Sequence, residues 1–171
     1  MALEVRYLNS MLHMTPEHLE SQLSALIVEE RDRGRRVVLA YGDCCPRMLD
    51  FEAEPGTART EGLNCCELLL GRSRYRELRK AGAFFLMPGW TLRWRGIFEH
   101  ELGLAPETAR SLMREMHTRL LYLDTGLVPV PRVELRAAAA YTGLPWAILS
   151  VGLEELRKVL EEALHRTAIH E

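Results

Sequence analysis

Two adjacent cysteine pairs, Cys44-Cys45 and Cys65-Cys66, are the residues of this chain best suited to chemistry, and they are its only cysteines. Four thiols within 23 residues, in a sequence with no secretion signal, read as metal ligands or reactive groups, because a reducing compartment keeps thiols free. The thiolate is both the ligating and the nucleophilic form. Asn64 and Glu67 have the spacing of a helix-opening capping box, which puts Cys65 and Cys66 at the first two helical positions. Unpaired N–H groups and the positive end of the helix dipole lower a thiol's pKa there. Adjacent side chains point different ways, so one cysteine of each pair is expected to face a site while the other packs; Cys44 and Cys65 are the expected site thiols. His13 supplies an imidazole. Two sulfurs and one ring nitrogen leave a position open on a zinc or iron centre for an exchangeable ligand. The plainer readings are that the cysteines pack as small apolar groups and that His13 is a surface or capping residue. The spacing is neither a zinc-finger nor a ferredoxin pattern.

These groups need elements to carry them. Leu3-Leu8, Val37-Tyr41, Ala83-Met87, Leu120-Leu123 and Ala147-Val151 are short apolar runs that read as strands, separated by intervals long enough for helical crossovers. Val37-Val38-Leu39-Ala40 lacks alternation, as a strand covered on both faces does. The expectation is a single α/β domain over residues 1–171, with a three-layer, mainly parallel, Rossmann-like sheet and helices on both faces. Thr15 and Pro16 open a helix with Leu19, Leu23, Leu26 and Ile27 on one stripe and Gly34 as its stop. Gly71 breaks the helix that begins at Asn64, Pro106 starts another, and Gly152 precedes the last. Ligands of such sheets sit beyond the carboxyl ends of the strands. The segments following the strands, around His13, Gly42-Asp43-Cys44, Pro88-Gly89-Trp90 and Asp124-Thr125-Gly126, are therefore the expected rim.

Trp90, Trp94 and Phe98 recur at helical spacing and read mainly as core, although Trp90 directly after Pro88-Gly89 is also placed to line the rim. Arg93, and Arg95 beside it, are candidates for holding an anionic ligand against the plainer reading of a solvated helix face; Trp90 and Arg93 are thus the expected cofactor-binding pair. His117, at helical spacing from Met113 and Leu121, reads as a half-buried histidine held in reserve as a ligand. A net charge of −2 speaks against a general nucleic-acid binder. Eight basic residues face three acidic ones between Arg59 and Arg95, so the balance is local. No apolar run approaches the roughly 18 residues of a membrane span, and no charged segment precedes a signal-like apolar run. The expectation is a cytoplasmic protein.

Tyr41-Gly42-Asp43-Cys44, Asn64-Cys65-Cys66-Glu67-Leu68-Leu69-Leu70-Gly71, Pro88-Gly89-Trp90 and Leu12-His13-Met14-Thr15-Pro16-Glu17 together resemble a conserved domain family of unknown function from methanogens and anaerobic bacteria. The resemblance spans most of the chain. It implies a role near corrinoid-dependent methyl transfer, because the family's genes often neighbour those of corrinoid proteins and their methyltransferases, and it matches Cys44, Cys65 and His13 to the family's Cys and His pattern. Many members carry a further strand-helix unit with a cysteine ahead of the segment matching Leu3-Leu8, so Cys45 or Cys66 is expected to supply a fourth ligand here.

Three functions follow. The first is a metal-binding protein, zinc before an iron-sulfur cluster, serving corrinoid-dependent methyl transfer or one-carbon metabolism, with a corrinoid protein or methyltransferase as partner. The second is a thiol-based redox or nucleophilic enzyme without metal, in which Cys65 attacks and a neighbouring cysteine resolves. The third is a non-enzymatic accessory module whose rim accepts a small anionic ligand or a corrinoid protein.

Overall fold

The computed structural model describes residues 3–169. The chain divides into two compact units, one formed by Met1–Asn64 with Val159–Glu171 and the other by Cys65–Lys158.

In the first unit, a short 3-10 turn (Ser10–Met14) opens on Asn9, whose side-chain oxygen accepts from the Met11 N–H at 3.0 Å. It leads into helix α1 (Pro16–Asp32). Thr15 holds the N-cap position of α1, but its hydroxyl is turned to the Leu12 carbonyl at 3.4 Å. Proline at the first helical position costs α1 nothing, because that N–H has no intrahelical acceptor. Leu19, Leu23 and Ile27 recur on its buried stripe. Strand β1 (Val37–Leu39) follows, then the short helix α2 (Met48–Glu52) and strand β2 (Thr57–Arg59). The strands pair in parallel with Val37 opposite Thr57 and Leu39 opposite Arg59. Leu19, Leu23 and Ile27 of α1 close on Leu39, Cys45, Met48 and Phe51. Each fully buried aliphatic side chain there contributes about 1.5–3 kcal/mol.

The expected strand at Leu3–Leu8 is not one: Leu3, Val5 and Tyr7 are exposed and form no ladder. Its apolar residues are interrupted by Glu4 and Arg6, which enter a surface ion-pair group with Glu29, Glu30 and Arg35. Conversely, β2 lies between Asp50 and Gly62, a segment that reads from the sequence as a long loop because it contains Pro55 and Gly56.

The second unit begins with helices α3 (Cys65–Leu70) and α4 (Arg72–Lys80). Gly71 between them has φ +73, a conformation costly for any residue bearing a Cβ, and one chain becomes two helices there. Strand β3 (Ala83–Leu86) leads to the short helices α5 (Pro88–Thr91) and α6 (Trp94–Gly96). Helix α7 (Pro106–Met116), strand β4 (Arg119–Asp124), helix α8 (Arg132–Thr142) and strand β5 (Trp146–Ser150) follow. The sheet is parallel in the order β3-β4-β5, with Leu86 opposite Tyr122 and Tyr122 opposite Ile148. Alternate strand residues go to different clusters, as a period of two demands. Leu86, Leu120 and Tyr122 join Met113 of α7 and Leu135 and Ala138 of α8. Phe85, Leu123 and Leu149 join Leu69, Leu70 and Tyr75 of α3 and α4. Helix α9 (Glu154–Ile169) starts in this unit and ends in the first. The fold is thus mixed α/β with small parallel sheets, two-stranded and three-stranded. No helix among the described residues is long and apolar enough to cross a membrane.

Candidate functional site

In the first unit the chain leaving β1 is pressed against the chain entering α3. The Asp43 N–H donates to the Leu63 carbonyl at 2.9 Å. A Cβ on Gly42 would lie 2.5 Å from both that carbonyl oxygen and the Asn64 Cα, so only glycine fits. The sequence Gly42-Asp43-Cys44 is thereby fixed at its start. Cys44 is half-buried and Cys45 buried, both against the α1 core. Burial, and after it the Glu20 carboxylate, push the Cys45 thiol up, so it stays protonated. The Tyr41 hydroxyl is likewise pushed up, by burial first and then by Cys44.

Beside this loop an open cleft of about 530 Å³ is lined by Cys44, Cys45 and the apolar side chains of Pro16, Pro46, Met48 and Leu49, with Asp43 and Arg59 as its charged members. The Arg59 side chain is only 8% exposed. Its Nη1 donates to Asp43 Oδ1 at 2.8 Å and its Nε to Glu52 Oε2 at 3.3 Å. A buried guanidinium is tolerated only when paired in this way. Arg166 of α9 donates to the Arg59 carbonyl and to Glu61 Oε1, the latter at 3.1 Å. Nothing in the residue types around Arg59 marks it out; its burial follows from the β1–β2 pairing, which sequence reasoning missed. Of His13, the backbone lies in the 3-10 turn and the side chain lies outside the described residues.

In the second unit Cys65 is exposed at the first position of α3, and Cys66 is half-buried against the cluster of Leu69, Leu70 and Tyr75. The Cys66 thiol donates to the Cys65 sulfur and holds it down to about 7, helped by the backbone N–H groups of Cys66 and Cys65 and opposed by desolvation. Cys66 is pushed far up by the same hydrogen bond and by burial. The hydrogen bonds at the start of α3 thus favour ionisation of Cys65 over Cys66.

The remaining expected site residues, Trp90, Arg93 and His117, lie in the second unit. The half-buried Trp90 ring meets Phe84 and Phe98 edge-on, each at 5.5 Å. Arg93 is exposed, and its Nε donates to the Gly89 carbonyl at 3.3 Å. His117 stands edge-on to Phe84 at 5.0 Å, and burial, then Arg79, pull its pKa down, so the neutral ring is favoured. Tyr122, fully buried in β4, has a hydroxyl with no hydrogen-bond partner among the described residues. Among the described residues no group of three or more His, Cys, Asp or Glu side chains is arranged to hold a metal ion.

Neither the curated proteins nor the solved structures contain a significant match to this chain. Residues 7–160 match the family described as "Protein of unknown function (DUF1638)", and the chain belongs to that family.

Proposed function

We propose that the protein works through a thiolate centred on Cys65 and Cys66, and that this pair takes up a soft metal ion, zinc in the first place and an iron-sulfur cluster in the second. What supports the reading is the adjacency of the two thiols at the start of α3, where the hydrogen bond from Cys66 holds the exposed Cys65 thiol down to about 7. A cation that accepts sulfur ligands gains most where deprotonation costs least. Zinc held there would supply Lewis acidity toward a substrate thiol or water. Cys65 and Cys66 would hold the metal as thiolates, the Cys66 proton passing to solvent. Cys44 and His13 are the other donors expected from the sequence.

The setting we infer is the cytoplasm, supported by four cysteines that form no disulfide among the described residues, and the use is corrinoid-dependent methyl transfer or one-carbon metabolism with a corrinoid protein or methyltransferase as partner, supported by the sequence resemblance. A three-layer Rossmann-like arrangement is the architecture we infer, supported by the parallel order β3-β4-β5.

A second reading, a thiol nucleophile or redox protein without metal, is supported by the exposure of Cys65 at the first position of α3 and the lowering of its thiol pKa by Cys66. Metal quantitation on protein purified without oxygen separates the two. Stoichiometric zinc or iron that falls at least severalfold in Cys65→Ser and Cys66→Ser supports the metal reading, with Cys44→Ser and His13→Ala reporting on the other donors. Metal content that none of these variants changes, with Cys65 rapidly alkylated at neutral pH, supports the second.

A further inference from the structure

The cleft of the first unit combines one buried cation with apolar walls, and the two carboxylates that neutralise that cation are unequal. Glu52 is 30% exposed, is built into α2 and also approaches Arg166 at 4.0 Å. Asp43 stands on a loop with its side chain 51% exposed, and it meets the guanidinium through Oδ1. Its backbone is pinned by the hydrogen bond to Leu63, but a half-exposed carboxylate can turn into water at little cost. Arg59 would then keep Nε on Glu52 and present Nη1 to the cleft, and a buried N–H donor left without an acceptor is costly. A carboxylate entering from solvent satisfies it with the planar geometry that arginine favours. The apolar walls, Pro16, Pro46, Met48 and Leu49, suit a hydrocarbon chain better than a second charge. The volume of about 530 Å³ lies within the range of about 300–1,000 Å³ that small-molecule sites occupy.

We infer that this cleft binds a small monocarboxylate with a short apolar chain, its carboxylate taking the place of Asp43 on Arg59. The inference rests on Arg59 and its partners and stands apart from the thiolate reading, since neither Cys65 nor Cys66 enters it.

The test is titration of the full chain with sodium butyrate, acetate, inorganic phosphate and butylammonium, followed by amide chemical shifts, on the parent, Asp43→Asn and Arg59→Lys. Butyrate is expected to bind about tenfold more tightly than acetate, as two buried methylenes imply. Asp43→Asn removes the competing carboxylate and should tighten butyrate binding roughly three- to tenfold. Arg59→Lys keeps the charge, loses the fork, and should weaken binding at least about tenfold. Should Arg59→Lys fail to fold, the Asp43→Asn result decides alone, because that side chain is half exposed. Weaker butyrate binding in Asp43→Asn overturns the inference, as does a preference for phosphate or butylammonium, or no butyrate binding by parent and Asp43→Asn alike.

Discussion

Asp43 and Arg59 form an ion pair of 2.8 Å between a half-exposed carboxylate and a guanidinium that is 8% exposed. The asymmetry decides what each substitution costs. Removing Arg59 leaves Glu52 and Asp43 facing each other and empties a buried position, whereas removing Asp43 leaves Arg59 still bonded to Glu52. Arg59→Ala is expected to lose about 2–4 kcal/mol of unfolding free energy, and Asp43→Ala about 1 kcal/mol. Urea unfolding of both variants checks the order; equal losses would contradict the role given to Glu52.

Gly42 predicts a second, sterically driven effect. Alanine there brings a methyl group to 2.5 Å from the Leu63 carbonyl and the Asn64 backbone, neither of which is a flexible side-chain end. The expected cost is about 2–3 kcal/mol, read as a lower urea midpoint, with new amide shifts at Asp43 and Leu63. A neutral Gly42→Ala would mean that the two chain segments are not in contact in solution.

Tyr122 offers the opposite sign. Its hydroxyl is fully buried and has no partner among the described residues, and burial, then Asp124, hold its pKa up. Removing an unsatisfied buried hydroxyl relieves a desolvation penalty, so Tyr122→Phe is expected to be neutral or stabilising by up to about 1 kcal/mol. A loss above about 1 kcal/mol in urea unfolding would show that the hydroxyl does have a partner.

The coupled thiols also make stability depend on pH. Cys65 has a folded-state pKa near 7, below its ordinary value of 9. Between those values the unfolded chain binds the extra proton, so the contribution of Cys65 grows as pH rises from about 7 to about 9 and is lost as pH falls through 7. Cys66, pushed up, acts in the reverse sense: above 9 the unfolded chain ionises it while the folded chain does not, and stability falls again. The difference in melting temperature between the parent and Cys65→Ser should therefore peak near pH 9. A difference flat from pH 6 to 10 would contradict the coupling.

The parts legible in the sequence are those set by local rules. Helix α1 announces itself through Thr15, Pro16 and the stripe of Leu19, Leu23 and Ile27, and the break at Gly71 follows from a φ of +73 that glycine alone adopts cheaply. β3, β4 and β5 appear as apolar runs because they are packed on both faces. β2 is three residues, Thr57–Arg59, two of them polar, and is buried only because β1 lies beside it. Leu3–Leu8 fails for the reverse reason, since an apolar composition without a pairing partner makes no ladder. The cysteines are visible as residue types, and the greater openness of Cys65 relative to Cys66 follows from their helical positions. The cleft is not visible, because a buried arginine reads in sequence like any solvated one.

The rate of Cys65 alkylation by iodoacetamide as a function of pH, followed by peptide mass spectrometry in the metal-free parent and in Cys66→Ala, tests the thiolate centre most directly. A midpoint near 7 is expected in the parent, set by the Cys66 thiol, with an upward shift when that thiol is removed. A midpoint near 9 in the parent, or one that Cys66→Ala leaves in place, would contradict it.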